Sequence, residues 1–124
     1  MTNLLFSDGT EANDDFIMRQ GDDAYLDVHG LDRITKADRD LSAYPEIIWE
    51  LEGVEFQIRK TKSAGQITHP SSNIARIAID QTDSEGLHGL YTHQLRVINT
   101  AGEKETILSG AGRFDREVFG SVAA

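Results

Sequence analysis

Residues 77–110, IAIDQTDSEGLHGLYTHQLRVINTAGEKETILSG, carry the clearest structural pattern in the chain. Ile77-Ala78-Ile79 is a short apolar segment that ends at Asp80, and a polar run follows from Gln81 to Gly86. From Tyr91 to Val97, large or apolar side chains at odd positions alternate with polar ones at even positions. That period of two belongs to a strand with one wet face. Asn99-Thr100-Ala101-Gly102-Glu103 holds the glycine that a hairpin loop of this length needs for a positive φ, and Thr106-Ile107-Leu108 resumes the apolar pattern beyond it. The segment predicts two half-buried strands, a tight turn and a third strand ending near Gly110, in antiparallel topology.

The same punctuation extends outward. Ile47, Trp49 and Leu51 share one face of a strand over Glu46–Glu52, with Glu46, Ile48, Glu50 and Glu52 on the other. The only Trp sits centrally, where core packing is the ordinary role. Val54, Phe56 and Ile58 alternate with Glu55, Gln57 and Arg59, as a next strand or a bulged continuation past Gly53. Phe16-Ile17-Met18 begins a strand that ends near Gly21, Asp22-Asp23 reads as a turn, and Tyr25, Leu26 and Val28 form the next strand. Gly30 to Ala43 reads as a loop with one helical turn near Leu31 and Ile34, and Tyr44-Pro45 forces an extended entry into the Trp49 strand. Ser63-Ala64-Gly65 and His69-Pro70-Ser71-Ser72 are turns, and Ala75, Ile77 and Ile79 point inward between them and Asp80. Many short strands spaced by turns predict an all-β, immunoglobulin-like antiparallel sandwich of about seven or eight strands; a small Greek-key barrel is the alternative. The expected organisation is an N-terminal arm over 1–15, a sandwich over 16–112 and a C-terminal extension over 113–124.

Composition narrows the function classes. At 124 residues the chain is one domain of ordinary size. It has no cysteine, which excludes disulfides, thiolate metal sites and a cysteine nucleophile. No apolar run approaches the roughly 18 residues that span a bilayer, and the N-terminus lacks the order of a secretory signal, so a soluble protein made in the cytoplasm is expected, with no membrane partner. The net charge is −9, steepest at the start, where Asp8, Glu11, Asp14, Asp15, Asp22, Asp23 and Asp27 face Arg19 alone. Phosphate backbones would be repelled there, so nucleic acid is not an expected partner.

Chemistry is hard to find. Gly-x-Ser-x-Gly is absent, and Ser109-Gly110-Ala111-Gly112 reads as small residues that let another backbone approach. No Gly-rich loop is followed by Lys and Ser or Thr to cradle a phosphate. His29, His69, His88 and His93 are scattered; His29 and His69 suit exposed turns, and His93 shares the apolar face of Tyr91 and Leu95 as a core-edge residue. Asp14-Asp15, Asp22-Asp23 and Asp80 with Asp83 could hold calcium in a loop, but no Asp-x-Asp-x-Asp-Gly pattern supports it. No metal, cofactor or enzymatic activity is expected.

The order Asp40-Leu41-Ser42, Ile48-Trp49-Glu50-Leu51, Ile58-Arg59-Lys60, Ile77 to Asp83, Gly89-Leu90-Tyr91-Thr92-His93-Gln94-Leu95 and Gly102 with Thr106 to Gly110 resembles that of immunoglobulin-like virion domains of tailed bacteriophages. The likeness is to the baseplate-upper-protein N-terminal domain, covers residues 16–110, and includes the Gln20-Gly21-Asp22-Asp23 turn. The resemblance implies a structural virion protein of the tail, baseplate or neck, made in the host cytoplasm, homo-oligomeric and bound to other virion proteins. Leu4, Leu5 and Phe6 in the arm and Phe114, Val118 and Phe119 in the extension are the expected assembly contacts, unless both clusters fold back onto their own sandwich. The alternative function is a carbohydrate or cell-surface ligand-binding module with Trp49 or Tyr44 as its aromatic platform.

Overall fold

The computed structural model of the chain describes residues 2–7 as backbone, and residues 15–19, 23–31, 35, 37–53, 57–84 and 86–115 with most of their side chains. Among these it is an all-β sandwich of two sheets. The strands are β1 (Thr2–Ser7), β2 (Phe16–Arg19), β3 (Ala24–Gly30), β4 (Glu46–Glu52), β5 (Gln57–Thr61), β6 (Ile67–Thr68), β7 (Ile74–Ile79), β8 (Gly89–Ile98) and β9 (Lys104–Asp115). One sheet has the order β1-β3-β7-β6 and the other β2-β9-β8-β4-β5.

Alternation decides which side of each strand faces inward. Ile47, Trp49 and Leu51 of β4, Ala75, Ile77 and Ile79 of β7, and His93, Leu95 and Val97 of β8 are all buried, as the period of two requires. They meet between the sheets with Phe16, Met18, Leu26, Val28 and Phe114 in a single core. Trp49 lies at its centre, fully buried, and its removal from water contributes about 3 kcal/mol.

The β8–β9 hairpin forms as expected, with Gly102 at φ 82° in its turn. The Ile77 strand, however, pairs with β3 in the opposite sheet. Between β7 and β8 the chain crosses the sandwich through a single helical turn, α1 (Gln81–Ser84), and through buried Leu87. The run expected to be merely polar is a helix start because Asp80 and Asp83 cap it reciprocally. Asp80 Oδ1 accepts from the Asp83 N–H at 2.9 Å, and Asp83 Oδ2 accepts from the Asp80 N–H at 3.0 Å. Asp83 Oδ2 also holds the buried Lys60 ammonium at 2.7 Å, so these two of the carboxylates weighed as calcium ligands brace a crossing instead.

Other expectations need correction. The helical turn near Leu31 is replaced, where described, by a bridge between Leu31 and Asp38; Ile34 lies outside the described residues. The strand beyond Gly53 folds back on β4 as the antiparallel β5, with Val54 and Phe56 outside the described residues, as is most of the Gln20–Asp23 turn. Two pairings are parallel, β1 with β3 and β2 with β9, in a sandwich expected to be antiparallel throughout. The supposed arm over 1–15 supplies β1, whose Leu4, Leu5 and Phe6 stand in register with Asp27, Val28 and His29. The supposed extension over 113–124 begins inside β9, which runs to Asp115, so the sandwich exceeds the 16–112 boundaries at both ends.

Candidate assembly surface

Trp49, Tyr91 and His93 show how the interior is pinned. Trp49 Nε1 donates to His93 Nδ1 at 3.1 Å, with both side chains fully buried. Phe16 packs edge-on against both His93 and Phe114, with ring centroids 4.8 Å and 5.8 Å apart. Tyr91 Oη donates to the His88 carbonyl three residues upstream at 3.3 Å. A buried Trp on the third strand of a sandwich, and a Tyr at the start of the sixth that bonds back to the backbone, are hallmarks of the immunoglobulin fold. Here β4 and β8 take those places. Antibody domains carry the second cysteine of their inter-sheet disulfide two residues after that Tyr; His93 stands there, and a hydrogen bond to Trp49 links β8 to β4 inside the core.

Other polar groups of the interior make similar bonds, although the buried Nε2 of His69 has no partner among the described residues. Arg76 holds Asp27 through two bonds of 2.8 and 2.9 Å and lies over the Tyr25 ring at 4.9 Å. The Asp27 bond holds the Arg76 guanidinium above its ordinary pKa. His29, expected in an exposed turn, is half-buried on β3, within hydrogen-bond distance of Asp38 and Asn73. His69 is also half-buried, its Nδ1 2.8 Å from the Ile74 carbonyl.

Two of the expected contact clusters change meaning. Phe114 is 1% exposed and sits in the core, because β9 continues its alternation through Gly112 and points Phe114 inward. It is not a contact for a neighbour. Val118 and Phe119 lie outside the described residues, while Leu4, Leu5 and Phe6 belong to β1 at the edge of the four-stranded sheet. Trp49 is inaccessible, so the aromatic platform imagined there does not exist. Tyr44 is half-buried, its ring under the Arg39 guanidinium and its hydroxyl bonded to the same group.

A different apolar surface is present. Leu90 is 71% exposed and Ile17 53% exposed. Both are paired to Arg113 of β9, from β8 and β2 respectively, so Ile17, Arg113 and Leu90 form one row across three strands on the outer face of the five-stranded sheet. Beside Leu90 opens a cleft of about 500 Å³ lined by Glu52, Gly53, Leu90, Tyr91, Thr92 and Ala111. Across β8 the same face turns acidic, with Glu46, Glu50 and Glu52 on β4. The Arg59 bond, at 3.0 Å, keeps the Glu50 carboxyl below its ordinary range. Alternation contains the signal for both apolar residues. Three consecutive apolar side chains at Phe16-Ile17-Met18 must turn the middle one outward, and Leu90 occupies an even position, on the wet side of β8.

These features define an immunoglobulin-like β-sandwich, built without cysteine and with two exposed apolar side chains flanking Arg113 on its outer face. No family model matches the sequence, and no curated protein matches it. Among solved structures the chain is similar to the N-terminal domain of phage TP901-1 ORF48, with a TM-score of 0.64 and 9% sequence identity, over 93% of this chain and 99% of that one. At that identity the likeness is one of fold.

Proposed function

We propose that this chain is a structural component of a tailed-phage virion, in the tail, baseplate or neck, that works through protein–protein contacts and catalyses no reaction. The observation that carries the reading is the end-to-end likeness to a phage domain, 99% of which is covered. The order of strand motifs, from Asp40-Leu41-Ser42 to the Thr106–Gly110 strand, also supports it. So does the disposition of polar groups. His93, Asp27, Lys60 and Asp83 are all spent on bonds that hold the sandwich together, while Ile17 and Leu90, two of the three exposed large apolar side chains among the described residues, share one sheet face. In this reading the chain is made in the host cytoplasm and incorporated with other virion proteins.

The test is immunogold labelling of particles released from the cells in which the chain is naturally made. Gold at the tail, baseplate or neck is the expected result. Particles that carry no label, with the chain left entirely in the soluble fraction, would overturn the proposal.

A further inference from the structure

We propose that the open face of the five-stranded sheet is a two-fold contact with a second copy of this chain, Leu90 of each copy entering the other's cleft beside Tyr91. The inference deepens the assembly reading and rests on it for the expectation that the chain has neighbours; the face and its occupant come from the arrangement of residues.

The pairing order puts β8 between β9 on one side and β4 on the other. The β2–β9 flank presents the guanidiniums of Arg19 and Arg113, and among the described residues Arg113 is paired with Asp115 of its own strand, at 3.0 Å and half-exposed. Such an exposed pair is held weakly and is open to exchange. The β4 flank carries Glu46, Glu50 and Glu52, of which Glu52 is exposed and Glu50 is largely buried and bonded to Arg59. Neither Arg19 nor Glu52 has an ion-pair partner among the described residues. In a chain of net charge −9, a flank with two arginines against Asp115, standing opposite the exposed Glu52 on the same face, is complementary to itself.

A two-fold axis lying along β8 exploits that division. It lays β9 of one copy over β4 of the other and brings the two Leu90 side chains together at the axis, so each contact occurs twice, as isologous interfaces require. Arg113 pairs with Leu90 and Glu52 with Thr92, so the two charges are offset by two residues, about 7 Å, along the strands. Sheets stacked about 10 Å apart let the long Arg and Glu side chains span that offset. Leu90 is then the apolar anchor on the axis, with the charged pairs beside it. Further along β8 the same axis sets Gln94 and Arg96 opposite their own copies, so the contact is centred on the Leu90 end of the strand.

The experiment is light scattering on the purified chain from about 1 μM to about 1 mM, a range that covers weak to firm association. A concentration-dependent dimer is expected. Leu90→Asp should weaken it at least about tenfold, with Thr92→Arg as a second disruption on the same strand if that variant misfolds. Arg113→Glu and Glu52→Arg should each weaken self-association, because each sets like charges opposite one another twice. An equimolar mixture of those two variants should restore it, since both facing pairs are then opposite in sign. A dimer indifferent to all four substitutions, or a mixture no stronger than either variant alone, would overturn the assignment. So would a wild-type chain that stays monomeric throughout, including one that is found in particles; that last result would leave the assembly reading standing and replace the second copy by another protein.

Discussion

At the scale of single residues, the core depends on bonds and fits that admit few substitutes. Trp49→Phe deletes the donor to His93 and leaves space at the centre of the sandwich, so a loss of about 2–4 kcal/mol is expected in urea denaturation. Combined with His93→Leu, the double variant should lose less than the sum of the singles, because the two residues share one bond. Gly112 is a second such position. A Cβ there would lie 2.5 Å from the Phe16 ring, so Gly112→Ala should cost about 1–3 kcal/mol, and Phe16→Leu in the same chain should recover part of it. If Gly112→Ala is as stable as the wild type, the close approach of β2 to β9 is wrong.

The same residues mark what could be read in advance. The alternation at Tyr91–Val97 and Glu46–Glu52 fixes which side chains enter the core, since burial on one face of a strand depends on period alone. Trp49 followed from the same reasoning, whereas Ser109–Gly112, read as the small-residue end of a strand that admits another backbone, lie within β9, where Gly112 admits the Phe16 ring. Phe114 was missed because the strand reads as ending near Gly110, whereas Gly112's lack of a side chain makes room for Phe16 and lets β9 continue. Leu90 and Ile17 were legible in parity but concealed among apolar neighbours.

At the scale of elements, the sequence says little about which strand pairs with which. The turn chemistry of Asn99–Glu103 specifies a hairpin, because its partners are adjacent in the chain. The parallel pairing of β1 with β3 and the crossing from β7 to β8 depend on contacts distant in sequence, and α1 was hidden because its capping box uses Asp83 where Glu or Gln is usual. Both ends of the chain now make firm predictions. Removing residues 1–7 strips β1 from the edge of β3 and should lower the thermal midpoint and promote aggregation through the bared edge. Removing residues 113–124 takes Phe114 out of the core and should prevent folding, seen as loss of the near-ultraviolet circular dichroism of Trp49. A folded 1–112 chain would contradict the placement of β9.

At the scale of the whole molecule, acid should weaken the fold in a definite direction. Bonds from Thr82 and Asp83 hold Asp80 below its ordinary pKa, Arg59 does the same for Glu50, and Ser42 for Asp40. Burial raises Glu46, but the bonds from Ser63 outweigh it and the net direction is again downward. A carboxyl whose folded value lies below its unfolded value of about 4 stabilises the fold above that value and loses the contribution as pH falls through the folded one. Urea midpoints should therefore drop between pH 5 and pH 3; a rise over that interval would show that these carboxylates are not held as described.

The assembly claim itself is tested most directly by quantitative mass spectrometry of density-purified particles. The account expects the chain at a constant ratio to the principal coat protein from preparation to preparation, as a built-in component must be. Its absence, or a ratio that falls steadily with each round of purification, would contradict it.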